Sequence, residues 1–332
     1  MDDWLQDHLV CPRDRAGLVL RGNELRCSPG HSYPYVDGIP VMLLKEARPN
    51  HSSCSSTLRQ VEGPLSGDSS HRPASEPGSR GLVDPYVQRV VSGTCGGMYK
   101  SLTGKLTRYP IPSMNLPEAE GPERRLLDIG SNWGRWSISA AKKGYRPVGI
   151  DSSLDAIQAA RRVAQQQGIT AIFLVADARY LPFSRNSFDV TFSHSTLQHL
   201  SKEDVKLVVA ECARVLKASG TCLIQMANTF GLRSLWNQAK RGFRKPTHFE
   251  GRYWRPWDLR NTFGDLIGPT HLFVDGYFGF NVHSSDKDLL LKRYRMVVTC
   301  SDILRRMSKT MPWMKYWADS LYVQSVREVE IE

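Results

Sequence analysis

The chain has 332 residues, with 44 Lys and Arg against 33 Asp and Glu, a formal charge of +11, and 41% apolar residues. That is ordinary globular composition, long enough for one large domain or two modest ones. No run of about eighteen apolar residues occurs, which excludes a membrane-spanning helix. The N-terminus, MDDWLQDHLVCP, is acidic and lacks the basic-then-apolar order of a signal peptide. Seven cysteines is an odd, low count for this length, so a cytoplasmic chain is expected, not a disulfide scaffold. The basic balance favours anionic partners.

Residues 1–46 read as a compact β-rich module. Residues 47–83, with SSCSS, GPLSGDSSHRP and SEPGSRG, are dominated by Ser, Pro, Gly and Arg and read as a flexible linker. Globular sequence resumes at Asp84. The segment Asp84–Leu106 reads as a lid, with Tyr86, Tyr99 and the Gly93–Gly97 turn facing a site or packing on a sheet. Short apolar runs then alternate with helical segments. Strands are expected at Leu126–Gly130, Pro147–Ile150, Ala171–Val175, Phe188–Ser193 and Thr221–Met226. Helices are expected at Arg135–Lys143, Leu154–Gln167 and Lys202–Leu216, stopped by Gly144, Gly168 and Gly220. This alternation implies a parallel sheet covered on both faces. Leu272–Phe280 and Leu321–Val329 read as two final antiparallel strands, with a basic helical insert at Leu289–Lys315 between them.

In such a sheet, ligands bind at the carboxyl ends of the strands. Polar residues fall at those ends. The first strand leads into Asp128-Ile129-Gly130-Ser131-Asn132-Trp133-Gly134, a turn in which glycine lets the backbone approach a ligand. Asn132 stands where a dinucleotide fingerprint would carry its middle glycine, and Asn tolerates positive φ. The second strand ends in Asp151-Ser152, where a carboxylate can accept both hydroxyl protons of a ribose. The third ends in Asp177-Ala178, placed to read an adenine edge. The fourth ends in Ser193-His194. Either His194 or His199 could act as a base, though alignment alone can suffice for a reactive donor; no catalytic residue is assigned.

The strings LLDIGSNWGRW, VGIDSSLDAI, VADARYLPFSRNSFDVTFSHSTLQHL and ARVLKASGTCLI, in that order over about residues 124–230, resemble the motifs of class I S-adenosylmethionine-dependent methyltransferases of the ubiquinone-biosynthesis-like, type 11 subgroup. The resemblance implies an α/β, Rossmann-like seven-stranded methyltransferase sheet. It implies S-adenosylmethionine held by Asp128, Gly130, Ser131, Asn132, Gly134, Asp151, Ser152, Asp177, Ala178 and Ser193. Asn132 with Trp133 departs from the usual Gly-Thr or Gly-Ser. An acceptor that is a small molecule, lipid or glycan precursor is expected, with only weak polyanion binding. The alternative is an rRNA or tRNA methyltransferase; a non-catalytic activator and a nicotinamide dehydrogenase fit less well.

Cys11-Pro-Arg-Asp14 and Cys27-Ser-Pro-Gly-His31 have the spacing C-x2-D-x12-C-x3-H. The surrounding sequence is similar to zinc-ribbon-like methyltransferase activators and to the zinc finger of bacterial rRNA guanine methyltransferases. Asp14 stands where those carry a thiolate, so zinc is expected below full occupancy and no metal ligand is assigned. The module is expected to be held by Leu9, Leu18, Leu25, Tyr33, Ile39, Val41 and Leu43. Between Gly231 and Phe263, basic residues interleave with Trp236, Tyr253, Trp254 and Trp257, as suits a phosphorylated or nucleic-acid acceptor, a membrane surface or a solvated face.

Overall fold

The computed structural model describes residues 1–47, 52–62, 83–94, 106–247, 250–279 and 283–328. The chain divides into two compact units, Met1–Ser187 and Phe188–Glu332.

In the first unit, helix α1 (Asp3–His8) precedes strands β1 (Leu18–Arg21), β2 (Glu24–Cys27), β3 (Ser32–Val36) and β4 (Ile39–Met42), which pair antiparallel in succession. Three further strands, β5 (Arg125–Ile129), β6 (Arg146–Asp151) and β7 (Ile172–Ala176), are parallel, with β6 in the middle. Helix α4 (Arg135–Lys142) connects β5 to β6, and α5 (Leu154–Gln167) connects β6 to β7. Ser153 caps α5 by accepting the Ala156 amide, and Gly168 ends it at φ +66°. These strands and helices lie where the apolar runs and glycine stops placed them.

β4 pairs in parallel with β7, Val41 opposite Val175 and Met42 opposite Ala176. The strands of the first unit are therefore ordered β1-β2-β3-β4-β7-β6-β5 in a mixed sheet. The sheet is larger than the seven strands expected for a methyltransferase fold, because the N-terminal strands, expected in a separate module, join it at β7. All four residues of β4 are buried, so the strand covers the β7 edge. Of the residues expected to hold the N-terminal module, Leu9, Leu25, Tyr33, Ile39, Val41 and Leu43 are buried, while Leu18 is half-buried.

Within the stretch read as a flexible linker, Ser52–Glu62 forms helix α2. Cys54, Leu58 and Val61 pack on the cluster of Ile39, Val41, Leu154, Ile157 and Val175. The apolar stripe at helical spacing overrides the Ser-rich composition. The rest of that stretch, 48–51 and 63–82, lies outside the described residues. Helix α3 (Pro85–Thr94) occupies the start of the lid segment, and Tyr86 donates to Gln158 on α5 (3.1 Å). Residues 95–105, with Tyr99 and the end of the Gly93–Gly97 turn, lie outside the described residues.

In the second unit, β8 (Phe188–Ser193) lies parallel to β9 (Leu216–Ala227), with α6 (Lys202–Val215) between them in sequence. β11 (Ser320–Val326) runs antiparallel to β9, and β10 (Thr270–Gly276) antiparallel to β11. Helices α7 (Leu232–Lys240) and α8 (Pro256–Leu266) follow β9, and α9 (Lys292–Met307) lies between β10 and β11. The two antiparallel strands and the basic helical insert fall where expected.

Candidate cofactor site and metal cluster

The loop after β5 adopts left-handed backbone at three of five positions: Gly130 (φ +74°), Asn132 (+49°) and Gly134 (+81°). Glycine at 134 is required twice over. A Cβ there would meet Ala160 Cβ at 3.1 Å and the Phe173 ring at 3.2 Å, besides the strained φ. Asn132 tolerates its conformation, and its side-chain oxygen accepts the Trp133 amide (2.8 Å). The amides of Gly130 and Ser131 both donate to the Ile150 carbonyl, which fastens the loop to the end of β6.

Asp151 completes the fastening. One carboxylate oxygen accepts the Asn132 amide (3.1 Å) and the other the Ser153 amide (2.9 Å). Ser131 is buried, and its hydroxyl has no partner among the described residues. Gly149 makes room for it, since a Cβ there would lie 2.9 Å from that oxygen and 2.6 Å from the Phe173 ring. A buried hydroxyl without a partner is costly, so a ligand group that satisfies it is strongly favoured. On this observation the loop fits a polar cofactor.

Asp128 lies deeper in β5 and accepts the Ser137 hydroxyl at 2.7 Å. Burial pushes its carboxyl up to about 7, against the lowering effect of the Ser137 bonds and with a further push from the Asp151 charge. A carboxyl whose folded pKa is raised stabilises the fold most when neutral, and that stability is lost as pH rises through about 7. Asp128→Asn is therefore expected to gain stability over the parent by on the order of a few kcal/mol between about pH 5 and pH 8. Calorimetric melting at both pH values checks this, and a pH-independent difference would refute it.

The remaining expected residues have partners of their own. Ser152 is engaged by α2: its carbonyl accepts the Thr57 hydroxyl, and its own hydroxyl meets that of Ser53, both at 2.9 Å. Asp177 is held by Arg179, whose guanidinium (2.7 Å) and amide (2.9 Å) both donate to it, and both side chains are buried. Arg179 was not singled out in sequence, although ADAR puts it within reach. Ala178 follows in the turn at the end of β7.

In the second unit, Ser193 is buried at the end of β8. His194 follows, with Nε2 3.7 Å from Asp275 Oδ2 on β10 and its ring 4.9 Å from that of His283. Burial pushes the Asp275 carboxyl up, but the His194 bond and charge, the His283 charge and the Ser320 hydroxyl (2.8 Å) outweigh it and bring the pKa down to about 2. His199 lies in the loop after β8, where its carbonyl accepts Arg252, and the Arg252 amide donates to Gln198 (2.7 Å). A residue of the basic insert thus clamps this loop.

In the N-terminal segment, Cys11, Asp14, Cys27 and His31 converge, with one ligand atom of each lying within 4.8 Å of all the others. His31 Nδ1 is 2.8 Å from Asp14 Oδ2, 3.4 Å from Cys27 Sγ and 3.6 Å from Cys11 Sγ. No metal ligands were assigned from sequence; the structure brings a complete set of two sulfurs, one nitrogen and one oxygen together. It fits a tetrahedral zinc ion.

Residues 126–220 match a family model described as a methyltransferase domain. Among curated relatives, the biotin biosynthesis bifunctional protein BioHC of Cellvibrio japonicus is 30% identical over 152 residues, 44% of this chain and 29% of that protein. The ubiquinone biosynthesis O-methyltransferase of Chelativorans sp. is 28% identical over 140 residues, 41% of this chain and 54% of that protein. The chain thus spans less than two thirds of these relatives. A UPF0434 protein of Vesicomyosocius okutanii is 49% identical over 49 residues, 14% of this chain and 83% of that protein. Over that stretch the chain belongs to the UPF0434 family.

Proposed function

We propose that the whole chain is a cytoplasmic S-adenosylmethionine-dependent methyltransferase whose acceptor is a small molecule, a lipid or a glycan precursor. In this reading residues 84–332 carry the reaction and residues 1–46 are a zinc-ribbon-like module fused to it. The observation that carries it is the Gly130–Gly134 loop fastened by Asp151, with the Ser131 hydroxyl buried and unpartnered beside it. Gly130 and Ser131 face the methionine part of the donor, Asp151 the ribose hydroxyls, and Asp177 and Ala178 the adenine. Bound S-adenosylmethionine supplies a methyl group already activated by its sulfonium charge. The chain's own task is to align donor and acceptor, exclude water and receive the acceptor's proton.

His194 is the group we assign to that proton. Asp275, ionised across the working pH range, lies 3.7 Å from Nε2 and orients the imidazole. His194→Ala is expected to lower kcat by about 10²–10⁴-fold while leaving donor affinity unchanged. Loss of donor binding in that variant would show a structural role instead.

Transfer of label from S-adenosylmethionine to fractionated cell extract tests the acceptor class. Label in the lipid or small polar pool is the expected outcome. Stoichiometric labelling of one RNA position would replace this reading with an rRNA or tRNA methyltransferase, and failure to bind the donor would overturn both.

A further inference from the structure

Residues 291–317 carry seven Lys and Arg against one carboxylate, Asp302. That carboxylate is neutralised within the fold, 2.8 Å from Lys287 and 3.4 Å from Arg305. Helix α9 buries Val298, and its Ser301 hydroxyl accepts the Tyr277 amide (2.9 Å). Met296, Cys300, Ile303 and Met307 fall on another face, spaced by four, three and four residues, and are exposed, Met296 to 70%. Arg293 and Arg306 flank that stripe and are exposed too. A helix that docks on its own protein through one side and shows water a second apolar stripe is not accounted for by the fold.

The short helix Pro312–Trp317 follows α9 in the chain and, like α9, is tied to Tyr277. Met314 is buried, and its carbonyl accepts the Tyr277 hydroxyl (3.1 Å). The Asn228 amide donates to the carbonyls of Tyr316 (3.0 Å) and Ala318 (2.7 Å). The turn is therefore fixed from behind, while Trp313 and Trp317 remain 60% and 55% exposed. Asp319 next holds the first turn of α7 through the Ser234 amide (2.7 Å), and α7 exposes Leu232 and Trp236.

We propose that the exposed face of α9 and the Pro312–Trp317 turn dock this chain on an anionic lipid bilayer. Tryptophan and tyrosine settle at the headgroup level. Methionine and isoleucine side chains enter the acyl boundary, while Lys and Arg reach back to the lipid phosphates. A surface made for single-stranded RNA would instead offer successive flat rings for base stacking; Met296, Ile303 and Met307 have none. The proposal does not depend on the methyltransferase reading, since it concerns a surface and not the reaction.

The test is sedimentation of the full chain with phosphatidylcholine vesicles, with and without phosphatidylglycerol. Partition about tenfold stronger onto the phosphatidylglycerol vesicles is expected, and weaker again at high salt. Trp313→Ala with Trp317→Ala, and separately Ile303→Asp, should each lower it about tenfold with an unchanged melting curve. Equal binding to both vesicle types, or undiminished binding by folded variants, would overturn the proposal. So would a failure to bind vesicles, with or without RNA binding that the tryptophan substitutions abolish.

Discussion

Asp151→Ala is expected to weaken S-adenosylmethionine binding by about 2–4 kcal/mol, the cost of leaving two ribose hydroxyls without a charged acceptor. The structure adds a second reason for a large effect. Each carboxylate oxygen already accepts a backbone amide, from Asn132 and from Ser153. The Asn132 bond helps hold that residue at φ +49°, in the middle of the loop expected to face the methionine group. Losing the carboxylate removes both the proposed ribose acceptor and a clamp on the loop. Asp151→Asn separates the two roles, because its amide nitrogen must face an amide donor or turn away from it. Calorimetric titration of the donor measures both variants, with melting curves to show that they fold. An unchanged affinity in the alanine variant would remove Asp151 from the site.

The parallel strands of the first unit were legible because each is a short apolar run closed by glycine or aspartate, a pattern that depends on local sequence alone. Asn132 and the two glycines were legible for the same reason, since backbone conformation in a tight turn constrains residue type directly. The pairing of β4 with β7 was not, because nothing in Ile39–Met42 names a partner more than a hundred residues away. Helix α2 was hidden by composition. Serine-rich sequence argued for a linker, yet Cys54, Leu58 and Val61 recur at helical spacing and meet a waiting apolar surface. Arg179 was not legible, because nothing in the local sequence shows that it folds back onto Asp177. His194 was visible as a candidate base, whereas its partner Asp275 comes from a strand eighty-one residues later.

The metal cluster carries the other large effect. Around zinc, bonds of about 2.3 Å to sulfur and 2.0 Å to nitrogen make tetrahedral edges of roughly 3.3–3.8 Å. The separations of His31 from Cys27 and Cys11, 3.4 and 3.6 Å, fall in that range. Asp14 is also prepared for a single bond, since its Oδ1 accepts the Ala16 amide (2.9 Å) while Oδ2 points to His31. The weakness is chemical, not geometric. A carboxylate oxygen binds zinc less strongly than a thiolate, and its 2.8 Å approach to His31 must open for the ion to enter. The chain is therefore expected to hold less than one zinc after purification and dialysis. Asp14→Cys should bring occupancy close to one and raise the melting temperature, because metal binding energy becomes folding energy. Cys27→Ser should abolish binding in both backgrounds. Elemental analysis beside thermal melting reads all of these. Full occupancy in the parent would show that the aspartate serves as well as a thiolate, and no gain from Asp14→Cys would show that the four side chains do not close on a common centre.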